Sequence, residues 1–368
     1  MSATAPDAND RAKIALVGAG VIGAVHGQVI SELADRVELA AVVDTHPDRA
    51  ERLAADRGGK VFTSLTDALA AVDIDIVVVC TPTGRHGEVA IEALQAGKHV
   101  IIEKPAETTV AKTDQIIEAQ RKAGRLVAVI SQHRFDPSTE IALAAIEKGE
   151  LGRLTTGIAA IDWWRGQSYY DSGDWRGTWE LDGGGALMNQ GVHTVDLLVA
   201  TMGRPVEVFA YTDTLAHQRI EVEDVAVAVV RFESGALGVL HATTAAYPGL
   251  SARLHVHGDQ GSIVIDNDLL TFIHTTPQGS GAAERSYGSA SDSINQVDNY
   301  DLTEQTGPTA GSNAGGLSPL AHRRQYENFL AALAGREALR VDLETNRQSI
   351  AIITGVYESA RTGKLVAL

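Results

Sequence analysis

A chain of 368 residues with 44% hydrophobic and 21% charged residues has the make-up of a folded protein of about two domains, which excludes a disordered chain. Lys and Arg number 31 against 47 Asp and Glu, a net charge of −16 with no basic run, which argues against nucleic acid or an anionic membrane as a partner. The single cysteine, Cys80, rules out an internal disulfide and fits a reducing compartment; at the end of an apolar run it reads as a buried small side chain.

Residues 1–12 are polar, lack an apolar signal core and read as a flexible N-terminus. No apolar run approaches the roughly 20 residues of a membrane helix, so a cytoplasmic location is expected. From 13 to about 135, β-branched runs at 14–17, 37–43, 74–80, 99–102 and 126–130 alternate with Ala-rich amphipathic stretches at 21–34, 47–56, 64–72, 87–96 and 110–123. Continuous apolar strands alternating with helices predict a parallel sheet covered on both faces. A helix at 138–148 follows, then strands at 154–164, 206–213, 225–232, 235–244, 252–257 and 262–265 with one helix, 186–201, among them. Strands with so little helix between them predict an α+β domain, 136–368, built on a large, open, mostly antiparallel sheet. Residues 276–319 are rich in Gly, Ser, Thr, Ala and Asn and read as a long loop or excursion; helices are predicted again at 322–333 and 343–361.

The first strand leads into Gly18-Ala19-Gly20-Val21-Ile22-Gly23, a G-x-G-x-x-G between a strand and a helix. The first glycine allows the tight turn, the second lets backbone approach a pyrophosphate, and the third lets helix and strand pack closely. The helix start, with the N–H groups around Val21 and Ile22, offers donors and partial positive charge to phosphates. Asp44 ends the second strand, 21 residues beyond Gly23, where a carboxylate accepts hydrogen bonds from the adenosine ribose and repels a 2′-phosphate. NAD is therefore favoured over NADP, which Arg49 keeps open as the lesser reading. Thr81-Pro82-Thr83 follows the strand at 74–80 and is expected to line the nicotinamide side, while His86 either caps the next helix or touches cofactor.

Three groups of residues can carry chemistry. Glu103-Lys104-Pro105 ends the strand at 99–102. A lysine beside a cationic cofactor has its pKa lowered and can deprotonate or polarise a hydroxyl, with Glu103 to hold it; a loop salt bridge is the plain alternative. Gly183-Gly184-Gly185 opens a helix that can approach a ligand and that presents Asn189 and His193, four apart, on one face, with Asp196 placed to orient the histidine. All four tryptophans fall within residues 163–179, where Trp163, Trp164, Arg165, Tyr169, Tyr170, Trp175, Arg176 and Trp179 offer flat faces for sugar rings and guanidiniums for carboxylate or phosphate; an interface patch would use the same residues. No metal-ligand spacing is legible among the 12 histidines.

Gly18-Ala19-Gly20-Val21-Ile22-Gly23, Thr81-Pro82-Thr83-Gly84-Arg85-His86, Glu103-Lys104-Pro105-Ala106-Glu107-Thr108 and the run Gly183 to Asp196, in that order, resemble the glucose–fructose oxidoreductase / inositol dehydrogenase / MocA family over residues 13–368. The resemblance implies a Rossmann domain, 13–135, followed by a substrate domain whose open sheet commonly packs on another subunit, giving a homodimer or homotetramer. It implies catalytic roles for Lys104 and His193. Asn189 stands where many members carry Asp, so a charged Asp–His pair is absent and the acid–base work shifts toward Lys104 and His193. The implied activity is NAD-dependent oxidation of a hydroxyl of a sugar, sugar acid or cyclitol, with Asn189, Gln132, Arg134, Arg165, Tyr170 and Trp175 as substrate-binding candidates. Cofactor contacts are expected from Gly18, Gly20, Val21, Ile22, Gly23, Asp44, Thr81, Pro82, Thr83, His86, Glu103, Lys104 and Arg176. A non-catalytic NAD(P)-binding regulator and a reductase of a non-sugar carbonyl or imine remain the competing readings.

Overall fold

The structure is a computed structural model that describes residues 11–276, 294–304 and 319–368. Most of the expected flexible terminus 1–12 and of the expected excursion 276–319 lies outside the described residues. By packing, the chain forms two compact units, Met1–Gln132 with Ser318–Arg347, and His133–Leu317 with Gln348–Leu368.

The first unit runs β1 (Ala12–Val17), α1 (Val21–Glu32), β2 (Val37–Val43), α2 (Pro47–Arg57), β3 (Lys60–Phe62), α3 (Leu65–Ala71), β4 (Ile76–Val79), α4 (His86–Gln95), β5 (His99–Ile102), α5 (Val110–Ala123) and β6 (Val127–Val129). All six strands are parallel, in the order β3-β2-β1-β4-β5-β6. The order reverses between β1 and β4, and ligands of open α/β sheets bind at the strand ends beside such a switch point. Ser64 and Thr109 cap α3 and α5 by accepting the N–H groups of Asp67 and Lys112. The strand cores, such as Ile14, Leu16, Ile76 and Val78, are fully buried, as a sheet covered on both faces requires.

The second unit begins with α6 (Pro137–Glu147), β7 (Leu154–Asp162), the short α7 (Gln167–Tyr170), a π turn at Ala186–Gly191 and α8 (Val192–Met202). It continues through β8 (Pro205–Asp213), β9 (Val225–Phe232), β10 (Leu237–Thr243), β11 (Ala252–Gly258), β12 (Ser262–Asp266) and β13 (Leu269–His274). The eight-stranded sheet has the order β13-β12-β11-β7-β10-β9-β8-β14, β14 being Val366–Ala367, and is antiparallel except for the pair β7–β10. One face is buried under α8, where Gly157 of β7 leaves room: a Cβ there would lie 2.6 Å from Leu198 Cδ1. The other face alternates outward, leaving Val227, Val229 and Val239 exposed in register with one another.

The helix at α9 (Pro319–Leu333) departs from the expected 136–368 domain. It buries Tyr326 and Phe329 in the core of the first unit with Leu16 and Ile30, because the parallel sheet leaves that face of α1 otherwise uncovered. The following helix, α10 (Leu343–Thr362), starts in the first unit and continues in the second, the division falling after Arg347.

Candidate active site

In the first unit the fingerprint glycines divide their work. Gly18 has φ of 102°, and a Cβ on it would sit 2.5 Å from the Cys80 carbonyl oxygen; one on Gly23 would sit 2.1 Å from the Gly18 oxygen. These two glycines let β1, β4 and α1 close on each other. Gly20 is different: nothing lies within 4 Å of its missing Cβ. That open space lies at the start of α1, whose N-cap Gly20 provides no side-chain cap, so backbone N–H groups face it. Asp44 is 8% exposed and turns its Oδ2 onto the Ala19 N–H and its Oδ1 onto the His46 N–H, both at 2.8 Å, which sets the loop for an approaching anion. At the end of β4, Thr81 Oγ1 is buried with no partner in the described structure. An open cradle with free donors and an unused hydroxyl at the switch point fits a dinucleotide.

His86 does not face that space. It is 1% exposed and bridges the Thr81 and Pro105 carbonyls, 2.8 Å from each. Burial pushes its pKa down against the pull of those carbonyls and of Glu103 and Glu107. It is a strut joining two strand-end loops rather than a cofactor contact. Lys104 stands on the loop it braces, followed by a cis Lys104–Pro105 bond. Glu103, 4% exposed, accepts the Lys104 N–H at 3.0 Å and His26 Nε2 at 2.8 Å. Burial opposes its charge, but His26 and His322 hold its carboxyl well below the usual range. Gln132, 7% exposed, closes this unit.

In the second unit Asn189 lies in the π turn and His193 in the first turn of α8. A π turn inserted ahead of an α-helix shifts side-chain register and recurs at functional sites. The Asn189 amide donates to Asp182 and its oxygen accepts from Gln190 at 2.6 Å. A carboxylate is thus present at Asn189 after all, supplied by Asp182 across the loop. The glycines before the turn approach protein rather than a ligand. A Cβ on Gly185 would lie 1.9 Å from the Glu223 oxygen, and one on Gly184 would lie 2.1 Å from the Tyr357 hydroxyl. Glu223 accepts the Gly185 and Leu187 N–H groups at 2.9 and 2.8 Å and so fixes the start of the turn.

Burial lifts the Glu223 carboxyl to about 7, against the N–H groups of Leu187 and Gly185 and the Tyr357 hydroxyl. A raised carboxyl favours the folded state while protonated. Its contribution is complete below the ordinary value of 4.5 and is lost as pH rises through about 7. Wild-type protein is expected to lose about 1–3 kcal/mol from this group between those limits, and Glu223→Gln to flatten that slope in urea unfolding. Parallel slopes in the two proteins would contradict the assignment.

Asp196 does not orient His193. It pairs with Arg134, Nε to Oδ2 at 2.6 Å and Nη2 to Oδ1 at 2.7 Å, with Ser349 Oγ at 3.3 Å from Oδ1. Arg134 is therefore a buried brace for α8 instead of a substrate ligand. His193 instead meets the edge of His133, ring centroids 5.0 Å apart. His133 Nδ1 lies 2.7 Å from Asp136 and 3.1 Å from Asp268. Burial disfavours its charge, but the Asp268 and Asp136 carboxylates outweigh that and raise its pKa to about 10.

The aromatic cluster is real but is organised around Tyr169, not Tyr170. Tyr170 is 5% exposed, bonds Thr244 Oγ1 at 2.8 Å and packs on His217, so it is a core brace. Arg165 lies 5.5 Å and Arg176 4.3 Å from the Tyr169 ring centre; Arg176 also stacks on Trp175 at 4.5 Å, and Arg165 donates to Gln190 at 2.8 Å. Gln190 in turn donates to the Tyr169 hydroxyl at 2.9 Å. The cluster thereby joins the π turn that carries Asn189.

The sequence did not point to Asp182, Glu223, His133 or Asp268. Asp182 sits beside the glycine run and Asp268 follows Asn267 in a two-residue turn, both with positive φ, which is a hairpin signal that would also have revealed β13. Among the described residues two groups hold donors close enough for a metal, His26–Glu103–His322 and His133–Asp136–Asp268, although no metal spacing was legible. In both, donors already contact one another: His26 Nε2 lies 2.8 Å from Glu103, and His133 Nδ1 lies 2.7 Å from Asp136 and 3.1 Å from Asp268.

A parallel sheet with an open dinucleotide cradle, joined to an open mixed sheet, defines an NAD-binding oxidoreductase architecture. Residues 12–131 match the family described as "Oxidoreductase family, NAD-binding Rossmann fold", and residues 140–264 match the "GFO/IDH/MocA C-terminal domain". The chain belongs to the Gfo/Idh/MocA family. It is 30% identical over 279 residues to myo-inositol 2-dehydrogenase of Thermotoga maritima, covering 72% of this chain and 78% of the relative. It is 29% identical over 261 residues to inositol 2-dehydrogenase of Rhizobium meliloti, covering 69% and 76%. Among solved structures, the WlbA dehydrogenase of Bordetella pertussis, in complex with NADH and UDP-GlcNAcA, superposes with a TM-score of 0.84 at 33% identity over 99% of each chain. NAD is the cofactor of this architecture. Among the described residues no helix is long and apolar enough to cross a membrane.

Proposed function

We propose that the protein oxidises a carbinol of an anionic sugar derivative, a sugar acid or its nucleotide diphosphate conjugate. The observation that carries the substrate class is Arg176: it lies half-buried over two aromatic rings, and among the described residues no carboxylate pairs with it. In a chain of net charge −16, a cation left without a carboxylate beside flat aromatic faces suits an acidic sugar. The WlbA relative, crystallised with UDP-GlcNAcA, supports the same class.

NAD, when bound, supplies the acceptor for the hydride. Lys104, at a strand end beside the cradle, takes the hydroxyl proton. His193 is the second acid–base group, and Asn189, held by Asp182 and Gln190, bonds a neighbouring hydroxyl. Arg165, Trp175 and Arg176 bind the ring and its charge. The test is NADH formation at 340 nm over cyclitols, aldoses, uronic acids and UDP-linked hexuronic acids. The acidic sugars are expected to be turned over best. Tight NADH binding with no turnover on any of them would favour the regulatory reading, and NADPH-dependent reduction of apolar carbonyls the reductase reading.

The same reading includes a homo-oligomer formed through the open sheet. Tyr211, Val227, Val229, Leu237 and Val239 form one apolar face, Val229 being 54% exposed. A second copy covering this face removes it from water. Light scattering should give a dimer or tetramer for wild type and a smaller species for Val229→Lys; a monomeric wild type would contradict it.

A further inference from the structure

The fully buried cluster behind Lys104 is larger than one carboxylate. His26 lies on α1, the helix that opens at the dinucleotide cradle, and is 0% exposed. Its Nε2 is 2.8 Å from Glu103 Oε1, and its Nδ1 is 2.6 Å from the hydroxyl of Tyr326 on α9. His322, one turn earlier on α9, brings Nε2 within 3.7 Å of the same Glu103 oxygen and meets the edge of His26. The other Glu103 oxygen accepts the backbone N–H of Lys104. Tyr326, Glu103 and His322 are 1%, 4% and 2% exposed.

A buried charged network costs more than a well-packed apolar core of the same volume, so its presence is poorly explained by stability. Glu103 links it to the Lys104 backbone. Glu103 is held as the carboxylate, so the ring proton facing it belongs to His26 Nε2. Tyr326, kept a phenol by burial, donates to Nδ1 and fixes that tautomer. We propose that His26, with Tyr326 behind it, is a positioning residue for Lys104, acting through Glu103. The chain Tyr326–His26–Glu103 sets the strand-end backbone from which the Lys104 side chain is aimed. This rests on the role proposed above for Lys104.

The test compares His26→Leu, His26→Gln and Tyr326→Phe with Lys104→Ala. Turnover is followed on whichever sugar of the panel gives the highest kcat/KM. Independently of any substrate, trace acetylation followed by mass spectrometry reads the reactivity of Lys104 against the exposed Lys60. His26→Leu is expected to lower kcat about 30-fold and change relative Lys104 reactivity at least threefold, with the NADH Kd within threefold of wild type, while the Tm falls because Glu103 loses its partner. His26→Gln, which keeps a donor toward Glu103, should recover most of both readouts. Tyr326→Phe, which removes one hydroxyl, should lower kcat about fivefold and decides the matter where His26→Leu does not fold. Unchanged Lys104 reactivity in His26→Leu or, where that variant does not fold, in Tyr326→Phe overturns the proposal, as do losses that track Tm and are not rescued by Gln. If Lys104→Ala abolishes turnover and these variants do not alter it, only this inference fails; if Lys104→Ala is active, the assignment of Lys104 fails with it.

Discussion

Lys104→Ala is expected to lower kcat by about 10³-fold while NADH binds within about threefold of the wild-type affinity. Binding survives because the cradle is made by backbone at Gly18 to Gly23 and by Asp44, none of which the substitution touches. Turnover is lost because the lysine is the one cation on a loop fixed from two directions. His86 holds the Pro105 carbonyl on one side and Glu103 holds the Lys104 N–H on the other. Lys104→Arg should not restore the rate, since a guanidinium stays charged at working pH and cannot take the proton. Steady-state kinetics with a parallel NADH fluorescence titration checks both halves. A kcat within tenfold of wild type would remove Lys104 from the mechanism.

Arg134→Ala should cost about 3–5 kcal/mol of stability, because it strands the Asp196 carboxylate inside the protein. The pair is bidentate and its side chains are 9% and 4% exposed. Removing both partners is a different matter: Arg134→Met with Asp196→Leu replaces an ion pair by apolar packing and should recover most of the loss. Urea unfolding of the single and double variants measures this directly. The substrate KM of the double variant separates the brace from the substrate ligand that the sequence suggests. A loss under about 1 kcal/mol in the single variant, together with a large rise in KM, would restore the ligand role.

What was legible followed from periodicity. The runs at 14–17, 37–43 and 99–102 are continuous and β-branched, and each became a buried parallel strand. Lys60–Phe62 escaped because a three-residue strand with exposed Lys60 and Val61 has no apolar run to read. The amphipathic pattern of Pro319–Leu333 announces a helix but carries no information on which sheet it covers, and it covers that of the first unit. The 3.6-residue period likewise conceals the π turn, whose extra residue per turn depends on Glu223 holding Gly185 and Leu187 from 38 and 36 residues away.

The candidate site divides in the same way. Motif residues Gly20, Lys104, Asn189 and His193 were visible because glycine, a strand-end lysine and an i, i+4 pair have local signatures. Their partners were not. His26 reaches Glu103 across 77 residues and Arg134 reaches Asp196 across 62, distances that only the fold closes. Tyr169 and Tyr170 are adjacent and chemically alike. The turn of α7 buries Tyr170 on Thr244 and leaves Tyr169 under two arginines, a choice set by tertiary packing.

Removal of hydrogen from a carbinol carbon of an acidic sugar by this chain is read out by isotope transfer. A uronic acid or UDP-linked hexuronic acid deuterated at its ring carbinol carbons is incubated with the protein and NAD⁺, and the recovered NADH is examined by NMR. One deuterium at nicotinamide C4 and a new carbonyl on the sugar are expected, both lost in Lys104→Ala. Sugar recovered with all of its deuterium, or NADH without any, would contradict it.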